Sequence, residues 1–200
     1  FVLLGEGKMS TRKGNIVLLE EFMAEALKKA QGELKKRYKK VDNKTAKIIG
    51  YGALRYAILK VSPEKNVIFN WQQALNFEGE TAPYIQYAYA RINSIINRNK
   101  NKVPRKATFS LLDKKEEIEL IKKLSMFPNI VEKTCLELRP NIMANYAYEL
   151  AKQFNEFYHA HNILKEKPDI KNARLLLATS VMQTLKNSLR LLGIDVLERM

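Results

Sequence analysis

The chain has 200 residues, of which 46% are hydrophobic and 28% are charged, a balance that is ordinary for a folded protein and excludes intrinsic disorder. Lys and Arg outnumber Asp and Glu by 35 to 21, and the resulting net charge of +14 favours a polyanionic partner such as nucleic acid over a merely solvated basic face. No apolar run approaches the roughly 20 residues that span a bilayer, and a single cysteine excludes an intrachain disulfide, so we expect no membrane contact and a cytoplasmic location.

The first residues, Phe1 to Leu4, are apolar and predict a strand cut from a larger sheet, so we interpret the chain as part of a longer protein. The loop from Gly5 to Gly14 combines glycines with cations and hydroxyls, which suits closure over phosphates. The loop's cations and hydroxyls are Lys8, Ser10, Thr11, Arg12 and Lys13. A P-loop is excluded because Val2 and Met9 stand where it needs a glycine and a hydroxyl. Phosphate binding and a plain basic hairpin both remain open.

Apolar residues at spacings of three and four predict helices over most of the remaining chain. The predicted helices run from Glu20 to about Lys40, from about Lys44 to Ser62, from Pro83 to about Ile96, from Asp113 to about Leu124, from Pro128, from about Asn141 to Ala160, and from about Asn172 to Leu192. Asp42 or Asn43 is the expected N-cap of the second helix, and Asp113 with Glu116 has the spacing of a capping box. Gly193 is a fitting C-terminal stop. The pattern predicts an all-α fold, a helical bundle preceded by a short strand and a loop.

Aromatic residues lie beside basic ones in the second half of the chain, in the segments that contain Tyr84, Tyr87, Tyr89 and Arg91, and Tyr146, Tyr148, Phe154, Phe157, Tyr158, His159 and His161. Single-stranded RNA is recognised by stacking bases on such rings while cations hold the backbone. Aromatics at helical spacing also build cores, so both interpretations stay open. No acidic or cysteine cluster joins the two histidines, and we expect no metal site. Cys135 is expected in the core.

The segment Lys8-Met9-Ser10-Thr11-Arg12-Lys13-Gly14 resembles the KMSKS signature loop of class I aminoacyl-tRNA synthetases, in the form found in arginyl-tRNA synthetases. Four further blocks resemble the same family, at Ile49–Tyr56, Phe69–Arg91, Phe154–His159 and Leu192–Met200. The loop alone would indicate only the class. The combination of blocks over nearly the whole chain indicates the arginine enzymes.

The resemblance implies that the loop holds the phosphates of ATP and stabilises the charge that moves onto pyrophosphate as arginine is activated. Lys8, Met9 and Ser10 are the implied ATP-binding residues, and the catalytic set is Lys8, Ser10, Arg12 and Lys13. Lys8 matches the first signature lysine, whereas Thr11 stands at the second, so Arg12 or Lys13 must supply that charge or it comes from elsewhere. ATP with Mg²⁺ is then a substrate of the whole enzyme, with no tightly bound cofactor here. Because the chain has no HIGH-type motif, we expect it to be inactive alone.

The resemblance also implies a division into the edge of the catalytic domain (1–19), a helical connecting subdomain (20–78) and an anticodon-binding bundle (79–200). Positions that match the anticodon-loop contacts of the family are Tyr84, Tyr158 and Met200. Gln86, Asn155 and Asn162 are further tRNA-binding candidates, and the charge pattern adds Lys35 and Lys36. The expected partners are an arginine-accepting tRNA and, for the whole enzyme, ATP and arginine. We expect a monomer.

Two alternatives remain at this stage. Another class I synthetase with a similar helical domain, such as the cysteine enzyme, would share the loop. A stand-alone helical RNA-binding or assembly module would share the bundle but would have no use for a signature loop.

Overall fold

A computed structural model describes residues 2–4, 18–39, 41–99, 103 and 106–200. The predicted signature loop, with Lys8, Met9, Ser10, Arg12 and Lys13, lies outside these residues. The strands and helices are β1 (Val2–Leu4), α1 (Leu19–Lys35), α2 (Asn43–Leu59), β2 (Val67–Phe69), α3 (Trp71–Ala74), α4 (Ala82–Arg98), α5 (Lys115–Ser125), α6 (Phe127–Leu136), α7 (Pro140–Ala160) and α8 (Pro168–Leu191). The predicted all-α bundle with a short leading strand is confirmed. No helix in the described part of the chain is both long and apolar enough to cross a bilayer.

The two short strands pair in parallel, with Val2 opposite Val67. Parallel strands need a crossover connection, and α1 and α2 supply it. The periodicity did not predict β2, because three residues are too few to show alternation. Within β2, Val67 and Phe69 are buried whereas Ile68 is exposed.

Side chains cap the starts of α2, α3 and α4, where Asp42, Asn70 and Thr81 each accept a hydrogen bond from a backbone N–H. Asp42 caps α2, and its carboxylate accepts hydrogen bonds from the Thr45 backbone N–H at 2.8 Å and from the Thr45 hydroxyl at 2.7 Å. The predicted capping box of Asp113 and Glu116 is wrong, because α5 begins one position later and Glu117 accepts from the Lys114 backbone N–H at 3.0 Å.

Cys135 is exposed, and the prediction that it is a core residue is wrong. Cys135 lies on α6, a short peripheral helix without any buried residue. The apolar pattern of α6 therefore reflects contact with the bundle on one side only.

Two hydrophobic cores share α2. The larger core is built by α4, α5, α7 and α8, and the smaller one by α1, α2, β2 and the segment around Phe77. Ile49 and Ala53 of α2 belong to the smaller core, whereas Tyr56 enters the larger one and donates its hydroxyl hydrogen to the carbonyl of Ala144 at 3.1 Å. Helix α2 therefore joins the two cores.

The last eight residues run between the two cores. Gly193 has a φ of +68°, a conformation that suits glycine after a helix end, as predicted. Side chains of α2 and α4 then hold the segment by its carbonyls: Arg55 donates to Gly193, Gln86 to Asp195 at 2.8 Å, and Asn93 to Glu198 at 2.9 Å.

Candidate RNA-binding surface

Helices α4 and α7 bring several predicted RNA-binding side chains into one hydrogen-bonded group. Arg91 donates to the Asn155 side-chain oxygen at 2.8 Å, and the Asn155 amide donates to the Tyr84 hydroxyl at 2.8 Å. The Arg91 guanidinium carbon lies 4.8 Å from the ring centre of Tyr87 and 5.3 Å from that of Tyr158, within the range of cation–π attraction. We call Tyr84, Tyr87, Arg91, Asn155 and Tyr158 the α4–α7 surface.

Helical spacing explains this grouping. Residues three, four and seven apart share one helix face, which aligns Tyr84, Tyr87 and Arg91 on α4. Asn155 and Tyr158 are three apart on α7 and therefore face the same groove.

The aromatic rings of this surface are partly packed and partly open. Tyr84 packs against Tyr148, with ring centres 5.4 Å apart, and Tyr158 stacks on Phe154 at 6.3 Å. Tyr84 and Tyr158 are nonetheless only partly buried, and Tyr87 is exposed. Tyr84 and Tyr158 therefore pack against the bundle on one side and stay partly accessible, and the binding-surface interpretation remains a prediction.

Three adjoining clefts surround the group. The first, of about 570 Å³, lies between the end of α1, the segment around Phe77, and α4 and α7, and includes Arg37, Tyr38, Tyr84, Arg91 and Lys152 among its lining residues. The second, of about 350 Å³, is lined by Tyr87, Arg91, Arg98, Tyr158 and Met200, together with smaller residues of α4. The third, of about 570 Å³, continues from Arg98 and Tyr158 along the loop that contains Asn162 and Lys165. The first and second clefts share Tyr87 and Arg91, and the second and third share Arg98 and Tyr158, so basic and aromatic side chains line adjoining clefts.

The remaining predicted residues take different positions. Met200 is partly buried and lines the second cleft, and Asn162 is an exposed residue in the wall of the third. Lys35 and Lys36 are exposed at the end of α1, outside the linings of all three clefts, and Lys36 pairs with Glu33 at 2.6 Å.

Gln86 does not belong to the surface. Its side chain is fully buried, and its amide N–H groups donate to the carbonyls of Asp195 and Ile48. The prediction that it contacts RNA is wrong because Gln86 lies on the face of α4 that packs against α2 and the terminal segment. It holds that segment in place instead.

The sequence analysis noted Tyr87 and Arg91 only as members of an aromatic and basic segment. Both could have been identified as lining residues, because they lie three and seven residues after Tyr84. Arg37 and Tyr38 could not, because they reach the cleft only through the packing of α1 near the segment of Phe77, over whose ring Arg37 lies at 4.5 Å.

The first cleft is lined by three cations, Arg37, Arg91 and Lys152, and by two carboxylates, Glu78 and Glu156. Burial raises the pKa of the Tyr38 phenol, and burial followed by the influence of Tyr84 raises that of Tyr148. Both phenols are therefore neutral at physiological pH and add no negative charge beside Arg37, Arg91 and Lys152. Among the described residues, no group of three or more His, Cys, Asp or Glu side chains could hold a metal ion.

Comparison with family models defines the class of protein. Residues 85–200 match the DALR anticodon binding domain, and residues 1–71 match the catalytic domain of "tRNA synthetases class I (R)". The chain therefore belongs to the DALR anticodon-binding domain family, and its first part is similar to a piece of a class I catalytic domain.

Individual relatives confirm the resemblance to arginyl-tRNA synthetases. The chain is 43% identical over 202 residues to the arginine–tRNA ligase of Clostridium botulinum, a match that covers 100% of this chain and 36% of that protein. Its fold matches the arginyl-tRNA synthetase of Thermus thermophilus with a TM-score of 0.90 and 31% identity, over 100% of this chain and 34% of the other. The fold also matches the arginyl-tRNA synthetase of Plasmodium falciparum, with a TM-score of 0.83 and 26% identity, over 92% of this chain and 34% of the other. The chain spans about a third of the length of these relatives.

Proposed function

We propose that this chain is the tRNA-binding part of an arginine–tRNA ligase, and that the α4–α7 surface takes the anticodon loop of an arginine-accepting tRNA. The observation that carries the proposal is the group of accessible tyrosine rings around Arg91, on a domain of the anticodon-binding family. Bases that leave a stacked loop can lie on Tyr84, Tyr87 and Tyr158, while cations hold the backbone.

The hydrogen bonds of the surface make it rigid before RNA arrives. Asn155 accepts from Arg91 and donates to Tyr84, so both side chains lose rotamer freedom in advance, which lowers the entropy cost of binding. Arg98, Lys152 and Lys165 in the cleft walls are placed to meet phosphates. Met200 supplies an apolar contact at the base of the second cleft.

The catalytic half of the proposal concerns the signature loop and rests on sequence. Lys8, Met9 and Ser10, with Arg12 and Lys13, would bind the phosphates of the substrate ATP with its Mg²⁺, and Lys8, Ser10, Arg12 and Lys13 would act in arginine activation. The match of residues 1–71 to a class I catalytic domain supports this assignment over a stand-alone RNA-binding module. We further propose the boundaries 1–19, 20–78 and 79–200, a monomeric state and a cytoplasmic location. The chain by itself is expected not to activate arginine.

Replacement of the tyrosines tests the proposed surface. Tyr84→Ala and Tyr158→Ala should each weaken binding of an arginine-accepting tRNA by about 1–3 kcal/mol, because each removes one stacking ring. The dependence of affinity on salt should stay the same, since no cation is lost. Binding would be measured by titration of labelled tRNA transcripts with arginine and non-arginine anticodons.

Two control variants separate stacking from folding. Tyr51→Ala removes a partly buried tyrosine of α2 that lines none of the three clefts and should leave affinity unchanged. Tyr84→Phe keeps the stacking ring but loses the hydrogen bond from Asn155, and should lose less affinity than Tyr84→Ala. Folded Tyr84→Ala and Tyr158→Ala variants that still discriminate between the transcripts as the parent does would contradict the proposal.

A further inference from the structure

An ion pair is buried between α5 and α8. Glu117 is 0% exposed and Arg174 is 5% exposed, and the Arg174 Nε lies 2.7 Å from a Glu117 carboxylate oxygen. The other Glu117 oxygen accepts from the Lys114 backbone N–H at the start of α5, at 3.0 Å. Glu117 therefore has hydrogen-bond partners on both of its oxygens.

The remaining contacts of Arg174 go to the loop between α7 and α8. Its Nη1 group donates to the Asn162 carbonyl at 3.2 Å and to the Glu166 carboxylate at 3.0 Å. The loop's own hydrogen bond, from the Lys165 N–H to the Asn162 side chain, is 3.0 Å long. Arg174 thus connects two points of a short loop to the interior of the bundle.

The preceding glutamate holds the beginning of the same loop. The Glu116 carboxylate lies 2.8 Å from the His161 Nε2, and the His161 ring packs against Phe157 with ring centres 5.6 Å apart. Two consecutive glutamates of α5 therefore hold the segment 161–166, one directly and one through Arg174. Residues 161–165 of this segment line the third cleft together with Arg98 and Tyr158.

Buried ion pairs rarely add net stability over apolar residues of the same size, because both charges must be desolvated. What they do supply is defined geometry, since the planar guanidinium directs its donors at fixed angles. Here those donors reach a loop carbonyl and a loop carboxylate. We therefore expect the pair to fix the position of the loop rather than to add net stability.

We propose that Glu117 and Arg174, assisted by Glu116, are positioning residues that hold the 161–166 loop in its place beside Tyr158, so that the third cleft is preformed for an RNA loop. The inference rests on the proposed function for its ligand. None of the three residues lines the cleft, and all three act through the loop backbone and His161.

The decisive variant replaces the pair by apolar residues of similar size, Glu117→Leu with Arg174→Met. The exchange removes one negative and one positive charge, so long-range attraction to RNA is unchanged, and it leaves no unpaired buried charge. Because Glu117→Leu also removes the acceptor of the Lys114 backbone N–H, we expect a modest fall in melting temperature and a folded variant. Amide hydrogen exchange in residues 162–166 should become at least about tenfold faster, and affinity for an arginine-accepting tRNA transcript should fall by about tenfold, with an unchanged salt slope.

A matched control removes an ion pair that has no contact with the loop. Lys133→Met with Glu137→Leu deletes an exposed pair of α6, 3.9 Å apart, and is also neutral in net charge. Exchange in the loop and tRNA affinity should both remain at the parental values. Arg174→Lys provides a second variant, because it keeps the charge opposite Glu117 but cannot replace the guanidinium's fork of donors to the loop.

The outcomes separate this inference from the proposed function. Unchanged loop exchange in the apolar pair variant would overturn the inference, as would faster exchange with parental tRNA affinity, and either result would leave the proposed function standing. If the apolar variant does not fold, the same two measurements on Arg174→Lys decide. A parental chain that does not distinguish arginine-accepting tRNA from other RNA would overturn the proposed function, whereas loop exchange would still show whether the pair positions the loop.

Discussion

At the scale of single residues, polar side chains in this protein act mainly by holding backbone. Asp42 holds the first turn of α2, Gln86 holds the terminal segment, and Asn155 fixes two side chains of the α4–α7 surface. In each case the side chain satisfies backbone or side-chain groups that would otherwise depend on water. The structural role of such a residue therefore depends on the group with which its side chain forms a hydrogen bond.

Asp42 gives a testable consequence for the effect of pH. Hydrogen bonds from the Thr45 hydroxyl and backbone N–H lower the pKa of its carboxyl below the ordinary value of 3.8. Because the pKa is lower in the folded state, the carboxylate contributes stability above the unfolded-state pKa, and this contribution is lost as the pH falls through the folded-state pKa. Asp42→Asn should therefore lower the melting temperature at pH 7 and have a progressively smaller effect below about pH 4. A difference between parent and variant that is constant from pH 7 to pH 2 would contradict this assignment.

At the scale of elements, the close approach of α1 and α2 depends on small residues. A Cβ added to Gly50 would lie 2.6 Å from the carbonyl oxygen of Ala26 and 3.2 Å from the Cβ of Ala30. Both alanines are fully buried. The backbone of one helix thus packs directly on the other, and no side chain fits between them.

Two glycine substitutions separate packing from helix propensity. Gly50→Ala should destabilise the chain by about 1–3 kcal/mol, because overpacking outweighs the propensity gain. Gly32→Ala, in α1, should stabilise it by about 0.5–1 kcal/mol, since nothing lies within 4 Å of its added Cβ. Urea denaturation of the two variants measures both effects. Equal changes of the same sign in the free energy of unfolding would show that the close contact between α1 and α2 does not determine the effect of Gly50→Ala.

At the scale of the whole molecule, α2 links the two cores through Tyr56. Burial raises the pKa of its phenol, which donates to the carbonyl of Ala144 from inside the larger core. The hydroxyl therefore stays protonated in the folded protein well above the pH at which a free tyrosine ionises. The same helix packs against α1 through Ile49 and Ala53 in the smaller core.

Tyr56→Phe tests this link. We expect a loss of about 1 kcal/mol at neutral pH, because one buried hydrogen bond disappears while the ring still fills its space. A phenol pKa that is raised in the folded state contributes stability that is present below the unfolded-state pKa and is lost as the pH rises. The stability difference should therefore shrink above about pH 10, as determined by denaturation at a series of pH values. A difference that grows with alkaline pH would show that the phenol is not protonated in the native state.

The net charge of +14 also belongs to the whole molecule. Lys35→Ala with Lys36→Ala should weaken binding of all tRNAs alike and make the slope of log affinity against log salt shallower by up to about 2, if each lysine neutralises one phosphate. Lys186→Ala with Arg190→Ala removes the same charge from the exposed side of α8 and serves as the control. Equal effects of the two pairs would indicate general attraction by net charge rather than contact by the end of α1.

Local patterns in the sequence determined most of the elements and the family. The 3.6-residue period, the Asp42 cap and the Gly193 stop depend on neighbours within a few residues, so they can be read from the chain alone. The signature motif and the four further sequence blocks indicated the arginyl-tRNA synthetase family, which the comparisons confirm.

Only the tertiary structure decided which helix face meets which partner. It turned Gln86 inward and Cys135 outward, paired β1 with a strand 65 positions later, and brought Arg37 and Tyr38 beside Tyr84. These features depend on contacts between segments far apart in the chain. Periodicity gives each helix an apolar stripe but does not state what that stripe, or the polar face beside it, packs against.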